Sequence, residues 1–395
     1  MRIVNARVFR NGFFEQGGVE FKERILDAGP KVGADFSPVG GTDPSCDANA
    51  GGAPVPAGED TIDAKGCYLI PGLVDIHTHA AVGEDASDGN ADGLYKMADY
   101  YAAGGVTSWC PTTMTLKEPV LTRAMQAVKS YKRTENGARI AGVNLEGPFV
   151  SYAKRGAQNA DNLHAPDADM FFRLNEASGG IVRLITIAPE EPGSMEFIKK
   201  VSGTATVSLG HTTADYDTAM AAYEAGARHA THLFNAMPAL GHRAPGVIGA
   251  ALDFGATVEL ITDGYHIHPS VVRLTHRLFG TKLTLISDSL RCAGMPDGEY
   301  ELGGQPITLK GGVARLSGTD TLAGSSIHLM EGMKRAAAFG VPLEAAVTAA
   351  TITPAAVIGM DKEIGSIATG KLADMVMLDK ELNVRAVIIG GKMIK

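Results

Sequence analysis

Cysteine is scarce in this chain: Cys46, Cys67, Cys110 and Cys292 are scattered over 395 residues and form no CxxC pair. Nothing in that spacing reads as a disulfide framework, so a reduced, cytoplasmic protein is expected, with the thiols as small core residues or bystanders. Long hydrophobic runs are also lacking, and none approaches the ~20 apolar residues of a membrane span. A basic excess is missing too. With 36 basic against 44 acidic residues and a net charge of −8, a broad nucleic-acid or anionic-membrane surface is excluded, which leaves room only for a local basic pocket that takes an anion. Residues 1–8 mix polar and apolar types without a charged head and apolar core, so a secretory signal is not expected.

What the chain does have is 45% hydrophobic residues, enough for one large domain and a smaller one. Eight short apolar runs each stop at a polar cluster. The first, 68–76, ends in Asp75, His77 and His79; the third, 140–145, in Glu146; the fifth, 205–209, in His211. The sixth ends in His232, the seventh in Asp263 and His266, and the eighth, 283–286, in Asp288. In a parallel sheet wound into a barrel, all strand C-termini open on one face, so these residues would converge. Imidazole nitrogens and carboxylate oxygens are what a hydrolytic divalent metal takes as ligands.

The intervening segments 95–103, 119–131, 216–225 and 269–278 carry apolar residues at helical spacing, giving repeated βα units and an α/β fold with a parallel sheet. Residues 2–27 read as β-ribbons, 300–316 as a hairpin insertion, 326–339 and 343–352 as helices, and 373–394 as strands. The expected architecture is a barrel over 69–364, with a small β-sandwich built from both chain ends, 1–68 and 365–395. The stretch 29–60, rich in Gly, Pro, Ala and Asp, reads as an exposed loop within that small region.

Each candidate has an ordinary alternative. His77 and His79 stand two apart, and alternate strand residues share a face, so both point into the barrel mouth or are simply core histidines. Glu146 precedes Gly147-Pro148, and a carboxylate there needs a cation or donors; a salt bridge to Lys154 or Arg155 is the alternative. His211 and His232, 21 residues apart, would lie on adjacent strands about 4.8 Å apart, which suits two imidazoles on one ion. His229, at odd spacing from His232, is expected to face outward and is given no role. Asp288 is the candidate general base, or else only a ligand or an orienting group.

The segments PGLVDIHTH (71–79), LEGPF (145–149), LGHT (209–212), THLFNAM (231–237), HRAPGVIG (242–249), DGYH (263–266), SDS (287–289) and LAGSS (322–326) together resemble the amidohydrolase superfamily and, within it, the family of N-acetylglucosamine-6-phosphate deacetylases. The resemblance runs from about residue 69 to the C-terminus. It implies a (β/α)8 barrel with a small β-sandwich and hydrolysis of the N-acetyl group to acetate and glucosamine 6-phosphate, in amino-sugar catabolism and cell-wall recycling. It also implies one or two divalent ions, zinc first, with iron, cobalt and manganese as alternatives.

By this resemblance Glu146, His211 and His232 hold the main ion, His77 and His79 a second, and Asp288 is the catalytic acid/base. Ala157, Gln158, Asn235, Ala236, Arg243, Asp263, His266, Ile327, His328 and Leu329 serve the amino-sugar phosphate. Arg243 reaches the neighbouring site of a homodimer. The chain departs from some members in two places: it keeps the His77/His79 pair, and it has Gln158 where those members have a histidine. Rival readings are a deacetylase for another N-acetylhexosamine phosphate such as the galactosamine epimer, a cyclic-amide hydrolase, and a scaffold that has lost its chemistry.

Overall fold

A computed structural model describes residues 1–33, 55–58 and 60–395. Eight parallel strands form the barrel: β1 (Leu73–Thr78), β2 (Val106–Thr113), β3 (Val143–Glu146), β4 (Val182–Ile187), β5 (Thr206–Leu209), β6 (His229–Ala230), β7 (Thr257–Ile261) and β8 (Leu283–Ile286). Successive strands pair in parallel from β1 through β8, with register shifts in the β1–β2 and β3–β4 ladders. The seam between β8 and β1 closes just beyond the strand ends. There Asp288 N donates to His77 O at 2.9 Å, and the amides of His79 and Ala80 donate to Ser289 O. Every residue of β1 and β2 is buried, as expected where side chains fill the barrel inside and helices cover it outside.

The helical expectations are met at Ala91–Ala103, Glu118–Ser130, Tyr216–Ala225 and Pro269–Phe279. Leu329–Ala338 follows the cap His328, and the last expected helix breaks at Thr351 into Leu343–Ala350 and Ile352–Val357. Among the described residues no helix is long and apolar enough to cross a membrane.

The first apolar run is not one strand. Tyr68–Pro71 belongs to a separate sheet, where it pairs in parallel with Arg2–Arg10 and antiparallel with Met375–Leu378. Gly72 turns the chain into β1, and a Cβ there would lie 2.1 Å from Thr107 Oγ1, so only glycine fits the crossing. The small sheet draws on both chain ends, as expected. Its strands enclose a second core, including Ile3, Val19, Phe21, Leu69, Met375 and Ile388. A bridge between Arg24 and Leu372 ties strands from the two ends together, so a single sheet bends around its own core.

Within 29–60, Val55–Gly58 pairs antiparallel with Thr61–Asp63, and residues 34–54 lie outside the described residues. The expected hairpin insertion is a three-stranded antiparallel sheet, Gly298–Leu302, Gln305–Lys310 and Val313–Leu316. It reaches the barrel mouth, where Gln305 Nε2 donates to Ala157 O at 2.6 Å. Cys110 and Cys292 are buried free thiols, whereas Cys67 is disulfide-bonded and departs from the expectation of reduced thiols throughout.

Candidate metal and catalytic site

Glu146 ends β3, and the turn after it is fixed by Gly147 at φ 87°, where a Cβ would lie 2.2 Å from Thr115 Oγ1. The carboxylate therefore stays at the rim with no helix following. His211, His232 and Asp288 follow strands β5, β6 and β8 with φ of 48°, 23° and 50°. Non-glycine residues rarely occupy that region, and such strain concentrates where a site must be held against local preference.

The side chains converge from opposite sides of the barrel. Glu146 Oε1 lies 2.8 Å from His232 Nε2 and 3.1 Å from His211 Nε2, and the two imidazole nitrogens are 3.1 Å apart. His79 Nε2 lies 3.4 Å from Glu146 Oε2 and 3.3 Å from Asp288 Oδ1. All five residues are buried, as is His77. The alternative, an ion pair from Glu146 to Lys154 or Arg155, does not form: Lys154 donates to Met237 O and Arg155 to Tyr152 O.

Tautomers decide what these groups can bind. His211 Nδ1 is 2.9 Å from the carbonyl of Lys154, His79 Nδ1 is 3.2 Å from that of Thr112, and His77 Nδ1 is 2.9 Å from Glu259 Oε2. Carbonyl and carboxylate oxygens only accept, so each Nδ1 carries the hydrogen, and a neutral ring then presents a bare Nε2. Three such nitrogens and Glu146 meet with lone pairs facing one another, and His77 Nε2 has no hydrogen-bond partner. That donor set fits a cation. Among the described residues two groups have ligand atoms within 4.8 Å of one another, His77–His79–Glu146 and Glu146–His211–His232, and Glu146 is common to both.

Electrostatics agree. Burial alone would raise the Glu146 carboxyl, but the surrounding imidazoles outweigh it and hold the group well below the usual carboxylate range. Asp288 is lowered in the same way by His79 and His77 against burial. With no cation the same carboxylates favour a protonated imidazole instead: His79 is raised to about 9, Asp288 and Glu146 overcoming its burial.

One pocket is lined by His79, Glu146, Ala157, Gln158, His211, His232, Asn235, Ala236, His266 and Asp288. Gln158 Oε1 accepts from Thr115 N at 2.7 Å, which turns its Nε2 onto Glu146 Oε2. Asp263 does not line the pocket. It stands behind His266, accepting from that ring at 2.7 Å and from the amides of Tyr265 and His266. Ile327, His328 and Leu329 are not brought to this pocket either; His328 caps a helix and packs edge-on against Tyr100, and Leu322 and Gly324 form the wall. Arg243 is exposed on the loop before Gly246–Phe254 and lies outside the lining.

His229 does not face outward. It is fully buried, with Nε2 3.2 Å from Glu259 Oε1. The alternation argument fails because β6 is only two residues long and the backbone turns before His232. Glu259 itself was overlooked. The available signal was a carboxylate inside the apolar run Thr257–Ile261, a position whose burial demands partners.

Imidazoles and a carboxylate gathered at the C-terminal rim of a parallel barrel, with a second carboxylate beside them, define a hydrolase-type centre able to hold a divalent ion. Residues 68–394 match the amidohydrolase family, and the chain belongs to it. It is 38% identical to the N-acetylglucosamine-6-phosphate deacetylase of Bacillus subtilis (strain 168) over 331 residues, 82% of this chain and 83% of that one. It is 34% identical to the N-acetylgalactosamine-6-phosphate deacetylase of Escherichia coli O157:H7, over 86% of this chain and 90% of that one. Among solved structures, the N-acetyl-D-glucosamine-6-phosphate deacetylase of Mycobacterium smegmatis superposes with a TM-score of 0.87 at 31% identity, covering all of both chains.

Proposed function

We infer that the protein hydrolyses the N-acetyl group of N-acetyl-D-glucosamine 6-phosphate, releasing acetate and D-glucosamine 6-phosphate. The observation that carries this reading is the single pocket in which the Glu146–His211–His232 group, Asp288 and His266 face one another. The relatives with that activity, matched over most of both chains, supply its substrate.

In this reading Glu146, His211 and His232 hold a divalent cation, with His77 and His79 offering a second place; zinc suits the donor set, and iron, cobalt and manganese are alternatives. A cation held there would supply Lewis acidity beside the bound amide. Asp288, kept ionised, takes one proton from the attacking water and delivers it to the departing amine nitrogen, so the amide bond breaks to amine and acetic acid, which pass on to ammonium and acetate as the acid's proton moves to the amine. Gln158, its amide oriented by Thr115, gives one Nε2 hydrogen to Glu146 and offers the other to the substrate carbonyl. His266 binds the phosphate, positioned by Asp263, and Asn235 and Ala236 flank the sugar.

Arg243, exposed and outside its own pocket, is read as serving the site of a second copy in a homodimer; a guanidinium offers phosphate two parallel hydrogen bonds. Cytoplasmic amino-sugar catabolism is the setting this chemistry suits. The similarity to a galactosamine 6-phosphate deacetylase keeps the epimer as a second reading. Acetate release from the two epimers, side by side, tests the assignment: release from neither would defeat it.

A further inference from the structure

Glu259 is fully buried in the middle of β7, and the chemistry above makes no use of it. Its Oε2 accepts from the His77 ring at 2.9 Å and from the His232 backbone amide at 3.0 Å. Its Oε1 lies 3.2 Å from His229 Nε2, and His229 Nδ1 lies 2.6 Å from Thr257 Oγ1. One carboxylate therefore ties β1, β6 and β7 together behind the two candidate ligand groups. We propose that Glu259, braced by His229, is the positioning residue that turns the Nε2 lone pair of His77 into the site and makes the His77–His79–Glu146 group a place for a second divalent cation.

The argument rests on tautomer choice. A neutral imidazole has one N–H, and His77 has two acceptors to give it to: Glu259 on the Nδ1 side, and on the Nε2 side Glu146 Oε1 at 3.4 Å with Asp288 Oδ1 at 3.7 Å. With Glu259 in place the hydrogen goes to the shorter contact, and Nε2 is left bare and unpartnered, aimed at Glu146. Without that acceptor the hydrogen would move to Nε2, fill the gap between His77 and Glu146, and occupy the position a cation needs. His229 holds the other carboxylate oxygen, so Glu259 cannot rotate away. A carboxylate behind a ligating imidazole typically accounts for 10–100-fold in metal affinity.

This inference rests on the reading that Glu146 and its flanking histidines bind a divalent cation, and the test separates the two. Chelator-stripped protein is titrated with cobalt(II), following visible absorbance and counting bound metal, for the wild type, Glu259→Gln and His229→Gln. Glutamine keeps the shape but has one oxygen where Glu259 uses two, so it cannot accept from the His77 ring, the His232 amide and the His229 ring together, and it removes the charge that holds the hydrogen on His77 Nδ1. The wild type is expected to bind two equivalents. Glu259→Gln should bind the first within a few-fold of wild-type affinity and the second about 10–100-fold more weakly, with a smaller loss of the same step in His229→Gln.

The proposal is overturned if Glu259→Gln keeps both wild-type affinities, if both steps weaken alike, or if the wild type takes up one equivalent only. Binding of no cobalt by the wild type would instead defeat the cation reading itself. Should Glu259→Gln not fold, as judged by the thermal midpoint of the metal-free protein, the selective loss of the second step in His229→Gln carries the test.

Discussion

His79 Nε2 stands 3.3 Å from Asp288 Oδ1, joining the ends of the first and eighth barrel strands at the carboxylate assigned to proton transfer. The contact keeps Asp288 ionised despite burial. It also places Asp288 beside the cation site without making it one of the residues whose donor atoms cluster there.

Asp288→Asn is therefore expected to lower kcat by about 10²–10⁴, the range for a lost general acid/base, while bound metal stays at the wild-type level. Metal analysis alongside initial rates checks this. Near-native turnover would remove Asp288 from the role.

Metal and protons compete for the same imidazoles. His79 is raised to about 9, so below that pH the metal-free ring is protonated and a cation must displace the proton. Affinity should rise with pH toward about 9, and below it fall by up to roughly tenfold per pH unit for each proton displaced. Chelator competition at several pH values between 6 and 9 measures the slope, and a flat profile would contradict it.

Burial pushes the Asp75 carboxyl up to about 7, against hydrogen bonds from Ser287 and His77. The folded state thus binds this proton more tightly than the unfolded chain. The contribution to stability is fully present below the ordinary carboxylate value of 3.8, and is lost as pH rises through about 7. In metal-free protein, Asp75→Asn should flatten the pH dependence of the urea midpoint between pH 4 and 8. An unchanged dependence would show that another group sets it.

Asp263→Asn removes the charge that orients the His266 ring and favours its protonation. KM for the sugar phosphate should rise about tenfold, with a much smaller change in kcat, if His266 reads the phosphate. Steady-state kinetics at neutral pH separate the two constants.

The barrel, its order of strands and its helices were legible because βα alternation and apolar runs report burial directly. Glu146, His211, His232, His79 and Asp288 were legible as polar stops. Three kinds of feature were not. The run 68–76 hides a change of sheet at Gly72, because both halves are equally apolar and only the close approach of Thr107 separates them. His229 and Glu259 depend on a partnership between two strands that neither strand reveals alone. Asp263 sits in a motif segment and His328 just past one, yet they hold neighbours in place, His266 and a helix end, and neither lines the pocket. Periodicity assigns a residue to a face only while the strand lasts, and β6 lasts two residues.

The most direct measurement is acetate released from N-acetylglucosamine 6-phosphate, its galactosamine epimer and unphosphorylated N-acetylglucosamine by the metal-replete protein, with a chelated sample beside it. The account predicts rapid release from the glucosamine phosphate, little from the unphosphorylated sugar, and loss of activity on chelation that added divalent metal restores. No acetate from any of the three, or release indifferent to chelation, would contradict it.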